Sequence, residues 1–155
     1  MKFGLLFLVL LLSACSSVKK DMRPPDSHAS PGSLASYARS LVGVPYKYGG
    51  HSPDSGFDCS GFVGHVFKRS WGISLPRSAP QISRLGKPVK LPQLREGDLV
   101  FYDTNKQAFS HVGIFLGDDR FIHAPSSGGS VRIENMDLDY WRKHYNGARR
   151  ISSPH

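Results

Sequence analysis

The chain has 155 residues, 39% of them hydrophobic and 21% charged, a balance that fits one compact domain and excludes a collagen-like repeat, a long disordered polymer and a multi-span membrane protein. Twenty basic residues against twelve acidic give a formal charge of +8, which suits nucleic acid, an anionic membrane surface or an anionic wall polymer without choosing among them. Two cysteines are too few for a disulfide framework, and without a CxxC or CxxH pair there is no start of a structural zinc site.

Residues 1–14 read as an export signal: Lys2, an apolar run from Phe3 to Leu12, then Ser13 and Ala14. The run is too short to span a bilayer, which takes about 20 apolar residues. Leu12-Ser13-Ala14-Cys15 resembles the bacterial lipobox, which makes Cys15 the lipidated first residue of the mature chain. Ser16 after it resembles the outer-membrane sorting pattern. With Cys15, residues 16–33 (SSVKKDMRPPDSHASPGS) are expected to form a flexible tether, since they are rich in Ser, Pro and charge and have no apolar period. At about 3.3 Å per residue the tether reaches at most about 60 Å, enough to present a domain to a wall polymer near the membrane.

The folded domain is expected over residues 34–155. Leu34, Tyr37, Ala38, Leu41 and Val42 recur at helical spacing, with Ser33 as N-cap and an end near Gly43 and Pro45. A Gly/Ser/Pro/Asp-rich loop over residues 46–56 leads into a second helix, whose stripe is Phe62, Val63, Val66 and Phe67. Asp58 is placed to cap it, so Cys59 falls in the first turn. Gly61 and Gly64 are poor helix formers that are tolerated where another backbone packs closely. Short β-rich runs follow over residues 98–102, 111–116, 120–124, 130–134 and 148–151, with a helix over 137–145 carrying Leu138, Trp141 and Tyr145. Helices first and a small antiparallel sheet afterwards give an α+β domain.

With Cys15 assigned to the lipid, Cys59 is the one thiol left in an exported chain, where a free cysteine is open to oxidation. A helix N-terminus favours thiolate, the nucleophilic form, and a nearby charged histidine lowers the thiol further. The competing reading of a lone cysteine is a small buried hydrophobe. His111 and His123 flank a single tight turn at Gly117-Asp118-Asp119. A three-residue loop sets His111 opposite Pro125 and His123 opposite Gly113, on one sheet face and about 7–8 Å apart by backbone. A two-residue loop sets them on opposite faces, so cooperation requires an odd loop or a bulge. His111 can then take the proton of Cys59, with His123 fixing its tautomer from the far ring nitrogen. His28, His51, His65, His144 and His155 carry no such pattern.

Tyr46-Lys47-Tyr48-Gly49-Gly50, Phe57-Asp58-Cys59-Ser60-Gly61-Phe62-Val63, Leu75-Pro76-Arg77, Glu96-Gly97-Asp98-Leu99-Val100-Phe101, Ser110-His111-Val112-Gly113-Ile114 and Phe121-Ile122-His123-Ala124 resemble, in order and spacing, the blocks of the NlpC family of papain-like cell-wall cysteine peptidases. The resemblance runs from Leu34 to Ile151. It implies a papain-like fold, N-terminal helices on an antiparallel sheet of about five to six strands. It implies Cys59 as nucleophile, His111 as general base and His123 as the orienting third member. It further implies that the Tyr46 hydroxyl and the Cys59 N–H lie near the oxyanion, and that Asp58 and Ser60 belong to the groove that meets the substrate's amine or carboxylate. The implied substrate is a peptide stem of peptidoglycan, cut through a thioester. Both the γ-D-glutamyl bond to the diamino acid and the D-amino-acid cross-bridge remain open.

The expectation is therefore a monomeric murein endopeptidase held at the outer membrane by the lipid on Cys15, with no cofactor, no metal and no nucleic-acid partner. One Cys and two His could also supply three ligands of a catalytic zinc, although no chelating HxxxH accompanies them. Basic charge alone suggests nucleic-acid binding, without an aromatic-basic stripe. A wall-binding lipoprotein on the same fold, or an amidase or acyltransferase of the same thiol superfamily, is the remaining alternative.

Overall fold

The computed structural model describes residues 31–154; the export signal, Cys15 and most of the expected tether lie outside them. Helix α1 spans Pro31–Ser40. It opens on a proline, a residue suited to a first helical position, so Ser33 lies inside its first turn and is not the N-cap expected. Leu34, Ala35, Ala38 and Leu41 are buried, whereas Val42 has turned out to solvent.

Helix α2, Cys59–Trp71, is the central packing element. Asp58 has extended backbone and its Oδ1 accepts from the Gly61 N–H at 2.7 Å, a capping contact worth about 1 kcal/mol. The helix ends where Gly72 adopts φ 69° and its N–H reaches the Lys68 carbonyl, the left-handed cap that glycine takes at least cost. Phe62, Val63, Val66 and Phe67 are fully buried, and truncating a phenylalanine there would cost about 3–5 kcal/mol. Gly61 fits as expected, because a Cβ would overlap the Gly50 carbonyl oxygen. Gly64 does not: nothing lies within 4 Å of the place its Cβ would take.

The loop before α2 contains a small hairpin, β1 (His51–Ser52) paired with β2 (Gly56–Phe57). After α2 comes a single helical turn, α3 (Ala79–Ile82). The main sheet has six antiparallel strands: β3 (Lys87–Val89), β4 (Leu99–Tyr102), β5 (His111–Gly117), β6 (Arg120–His123), β7 (Arg132–Asn135) and β8 (Tyr145–Arg150). Their order is β3-β8-β4-β5-β6-β7. Helix α4 (Asp139–His144) precedes β8; it buries Trp141 and leaves Leu138 exposed. The last strand begins at Tyr145, three residues earlier than its composition suggests, because Tyr145 pairs with Tyr102.

Alternation along the central strands builds two cores. Leu99, Phe101, Val112, Ile114 and Ile122 face α1 and α2. Val100, Tyr102, Phe115, Phe121 and Ala148 face the other way, onto Met136 and Trp141. β4 is therefore buried along its whole length. Its entrance is fixed by Asp98, 2% exposed, which accepts from Arg150 Nε and Nη2 at 2.7 Å each and from the Arg95 N–H at 2.8 Å. That fork ties β8 to the start of β4.

The β5–β6 connection settles the histidine geometry. Asp118 and Asp119 both have positive φ, 49° and 54°, and Gly117 pairs with Arg120, a two-residue turn of the mirror-image kind that suits strand twist. By itself this would place the histidines on opposite faces. A register shift between Phe115 and Gly117 absorbs Leu116, after which Phe115 pairs with Phe121 and Ile114 with Ile122. The bulge thus restores the register a three-residue loop would give.

Candidate active site

Cys59 opens α2 and borders a cleft of about 450 Å³, lined also by Tyr46, Asp58, Ser60, Arg77 and His111. Every expected site residue within the described span except His123 borders this cleft. Burial, then the neighbouring Asp58 carboxylate, pushes the Cys59 thiol up from its usual value; the N–H groups of Val112, Ser60 and Cys59 pull it back only in part. The thiol is therefore not lowered at rest, contrary to the simple helix-terminus expectation, because desolvation outweighs the N–H contacts.

His111 begins β5 and His123 ends β6, and both are essentially fully buried. Their rings meet at right angles, with His111 Nε2 2.7 Å from His123 Nδ1. Gly113 makes the meeting feasible: a Cβ there would press on Phe121 and on the His123 Cβ. Trp141 lies beside both imidazoles, with ring centroids 6.1 Å from His111 and 5.1 Å from His123. Burial pushes His111 down to about 4. His123 is pushed down too, by burial first, then by His111 and Arg132. Burial thus disfavours the charged form of the thiol and of both imidazoles.

Tyr46 is held over the cleft by backbone. Its N–H donates to the Gly129 carbonyl at 2.8 Å, and Phe57 holds both its neighbours, donating to the Pro45 carbonyl at 3.0 Å and accepting from the Lys47 N–H at 2.9 Å. Burial, then Cys59 and Asp58, raise its hydroxyl, so it stays a protonated donor. Asp58 and Ser60 border the cleft with their polar atoms already engaged internally. The Asp58 oxygens accept from Arg77 Nη1 and Nη2 at 2.7 and 2.8 Å and from Gly49 N at 3.0 Å. Ser60 Oγ donates to the Arg77 carbonyl at 2.7 Å and receives Arg77 Nη1 at 2.8 Å. Burial alone would raise the Asp58 carboxyl; Arg77 and the Gly61 N–H together hold it below its usual value.

Arg77, Trp141 and Gly113 are site residues that spacing did not single out. Arg77 stood in a recognisable Leu-Pro-Arg block, yet nothing local connects it to a carboxylate 19 residues earlier. Among the described residues no group of three or more His, Cys, Asp or Glu side chains is arranged to hold a metal ion.

The sequence matches the NlpC/P60 family over residues 43–150. It is 44% identical over 111 residues to the Escherichia coli murein DD-endopeptidase MepS/murein LD-carboxypeptidase, covering 72% of this chain and 57% of that one. It is 40% identical over 116 residues to the murein DD-endopeptidase MepH of the same organism, covering 73% of this chain and 43% of the relative. Each match therefore spans little more than half of the relative's length or less. Among solved structures, an NlpC/P60 family protein from Bacillus cereus superposes with a TM-score of 0.71 at 34% identity, over 78% of this chain and 40% of that chain. Helices on an antiparallel sheet, the order of the motif blocks and these similarities agree, and the chain belongs to the NlpC/P60 family.

Proposed function

We propose that this chain is a thiol peptidase that cuts an amide bond in the peptide part of peptidoglycan. The observation that carries the reading is the buried His111–His123 pair, joined at 2.7 Å, whose His111 member borders the cleft in which Cys59 opens α2. The family relatives named as murein endopeptidases supply the substrate class.

Since His111 Nε2 is engaged by His123, Nδ1 is the nitrogen left to accept the Cys59 proton. The Cys59 sulfur then attacks the amide carbonyl carbon, and the developing oxyanion takes N–H donation from Cys59 and O–H donation from Tyr46. His111 passes its proton to the leaving amine, giving a thioester. Water, deprotonated by His111, releases the acid and restores the thiol. Burial disfavours the charged forms of both groups, so proton transfer accompanies attack, with His111 acting as a general base. Arg77 holds Asp58 and Ser60, and through them the first turn of α2, in position.

The experiment is incubation of the protein and its Cys59→Ala variant with purified peptidoglycan, followed by mass analysis of the soluble fragments. New fragments from the parent alone identify the enzyme and name the bond. Equal, unchanged walls with both proteins would remove the peptidase reading. Chelator-sensitive cleavage that survives alkylation of Cys59 would replace the thiol mechanism with a metal one. We further propose that lipid on Cys15 tethers a monomer to the outer membrane; a Cys15→Ala chain that stays with the outer-membrane fraction would overturn the anchor.

A further inference from the structure

The two ring nitrogens of His123 have different surroundings. Nδ1 meets His111. Nε2 is buried and has no hydrogen-bond partner among the described residues, a state that costs about 1–3 kcal/mol for a polar atom removed from water. The acidic group facing it is Glu134, whose Oε1 lies 3.9 Å from Nε2. Glu134 reaches this place by register: β6 pairs with β7 so that His123 opposes Arg132 and Phe121 opposes Glu134, which puts all four on one sheet face. Arg132 Nε donates to the same Glu134 oxygen at 2.6 Å. His123, Arg132 and Glu134 border a second cleft of about 630 Å³, separated from the Cys59 cleft by His111, Thr104 and Ser126, which line both.

The placement of protons follows from these contacts. For His111 Nδ1 to accept from Cys59 it must be bare, so the His111 proton sits on Nε2 and is donated to His123 Nδ1. His123 must then carry its own proton on Nε2, pointing toward Glu134. The reverse arrangement fails at both ends: it protonates the His111 nitrogen needed as base, and it turns a bare nitrogen lone pair toward a carboxylate. A movement of about 1 Å by the Glu134 side chain closes the 3.9 Å gap to a hydrogen bond.

We propose that Glu134 is a positioning residue for the histidine pair: it holds His123 with the proton on Nε2, which leaves His111 Nδ1 free to receive the Cys59 proton. The proposal rests on the roles given to Cys59 and His111 above. In the step itself the Cys59 S–H bond breaks, its electron pair stays on sulfur and an N–H bond forms at His111 Nδ1. The positive charge that appears on His111 is stabilised through His123 by the Glu134 carboxylate, which takes no proton.

The test compares the protein with Glu134→Gln, which keeps the shape and removes the charge, Glu134→Asp, and Arg132→Ala, which breaks the ion pair and keeps the carboxylate. Ring-nitrogen NMR is expected to show a bare Nδ1 on His111 and a protonated Nε2 on His123. The rate of Cys59 alkylation by iodoacetamide at pH 7 is expected to fall about tenfold in Glu134→Gln, the loss of one charge-assisted hydrogen bond, and to recover in part in Glu134→Asp. Arg132→Ala is not expected to reproduce the loss. On peptidoglycan, kcat falls with the alkylation rate while KM holds. A proton on His111 Nδ1, an unchanged alkylation rate in Glu134→Gln, or an equal loss in Arg132→Ala would overturn the proposal. NMR and alkylation need no substrate, so a protein that leaves walls intact yet shows both signatures refutes the peptidase reading and keeps the role of Glu134.

Discussion

Arg77 and Asp58 meet as a two-pronged pair, Nη1 to Oδ1 at 2.7 Å and Nη2 to Oδ2 at 2.8 Å. The same guanidinium donates to Ser60 Oγ at 2.8 Å and to the Gly50 carbonyl at 3.1 Å. One side chain therefore joins the loop before α2, the helix cap and the residue after Cys59. Asp58 would otherwise be a half-buried, uncompensated carboxylate beside the Cys59 thiol; its charge is met instead by Arg77.

Arg77→Met keeps the stem and removes the fork. The expected loss is about 1–2 kcal/mol in urea unfolding, less than a fully buried pair would show because the Arg77 side chain is 49% exposed. A separate loss, tenfold or more, is expected in peptidoglycan turnover, since the Asp58 charge is left facing Cys59. Turnover that falls only in proportion to the unfolded fraction would contradict this role.

The buried histidines set a pH dependence of stability. Unfolded, each titrates near ~6.5; folded, His111 is pushed down to about 4 and His123 is pushed down as well. Between these values the unfolded chain binds protons that the folded chain does not. Stability is thus complete above about pH 7 and falls as pH drops through 6.5 toward 4, by up to ~1.4 kcal/mol per pH unit for each histidine. Asp58, whose folded value is lowered, adds a separate loss only once pH falls below ~3.9. Urea midpoints measured from pH 7.5 to 4.5 check the first window, and a His111→Gln, His123→Gln double variant should reduce it to the smaller share of His65, which burial also lowers. Constant midpoints in the parent would show that the pair is not buried neutral.

Two glycines of α2 are predicted to behave oppositely. Gly64→Ala meets nothing within 4 Å and should stabilise by about 0.5–1 kcal/mol, as alanine does over glycine in a helix interior. Gly61→Ala drives a Cβ into the Gly50 carbonyl and to within 2.8 Å of Asp58 Oδ1. It should cost stability and, by displacing the cap, shift Cys59. Thermal melts of the two variants decide the matter; opposite signs are required, and destabilisation by both would show that space beside Gly64 is used.

The parts of this protein legible in its sequence are those set by neighbours along the chain. The Asp58 cap and the position of Cys59 in the first turn of α2 follow from local backbone hydrogen bonding, and the apolar stripe of Phe62, Val63, Val66 and Phe67 is a period any reader can count. That His111 and His123 share a face was legible as a condition, an odd loop or a bulge, and the bulge at Leu116 is the branch taken. Strand β3 was invisible because an exposed Lys87 and Pro88 before a half-buried Val89 give no alternation, and only pairing with β8, some 60 residues on, makes Lys87–Val89 a strand.

Tertiary structure alone decided where charges met and where water was excluded. Arg77 finds Asp58 because α2 and the segment after it fold back together, and Glu134 finds His123 because β7 adds beside β6 in one register. Trp141 reaches both imidazoles from a six-residue helix whose own pattern gave no hint of its target. Burial raised the thiol and lowered the imidazoles, since desolvation depends on everything packed around a group and not on its place in the chain. The sequence by itself determined the family, the nucleophile candidate and the helix that carries it, because those rest on local pattern. The protonation of the site and the contacts that hold it were decided by non-local packing.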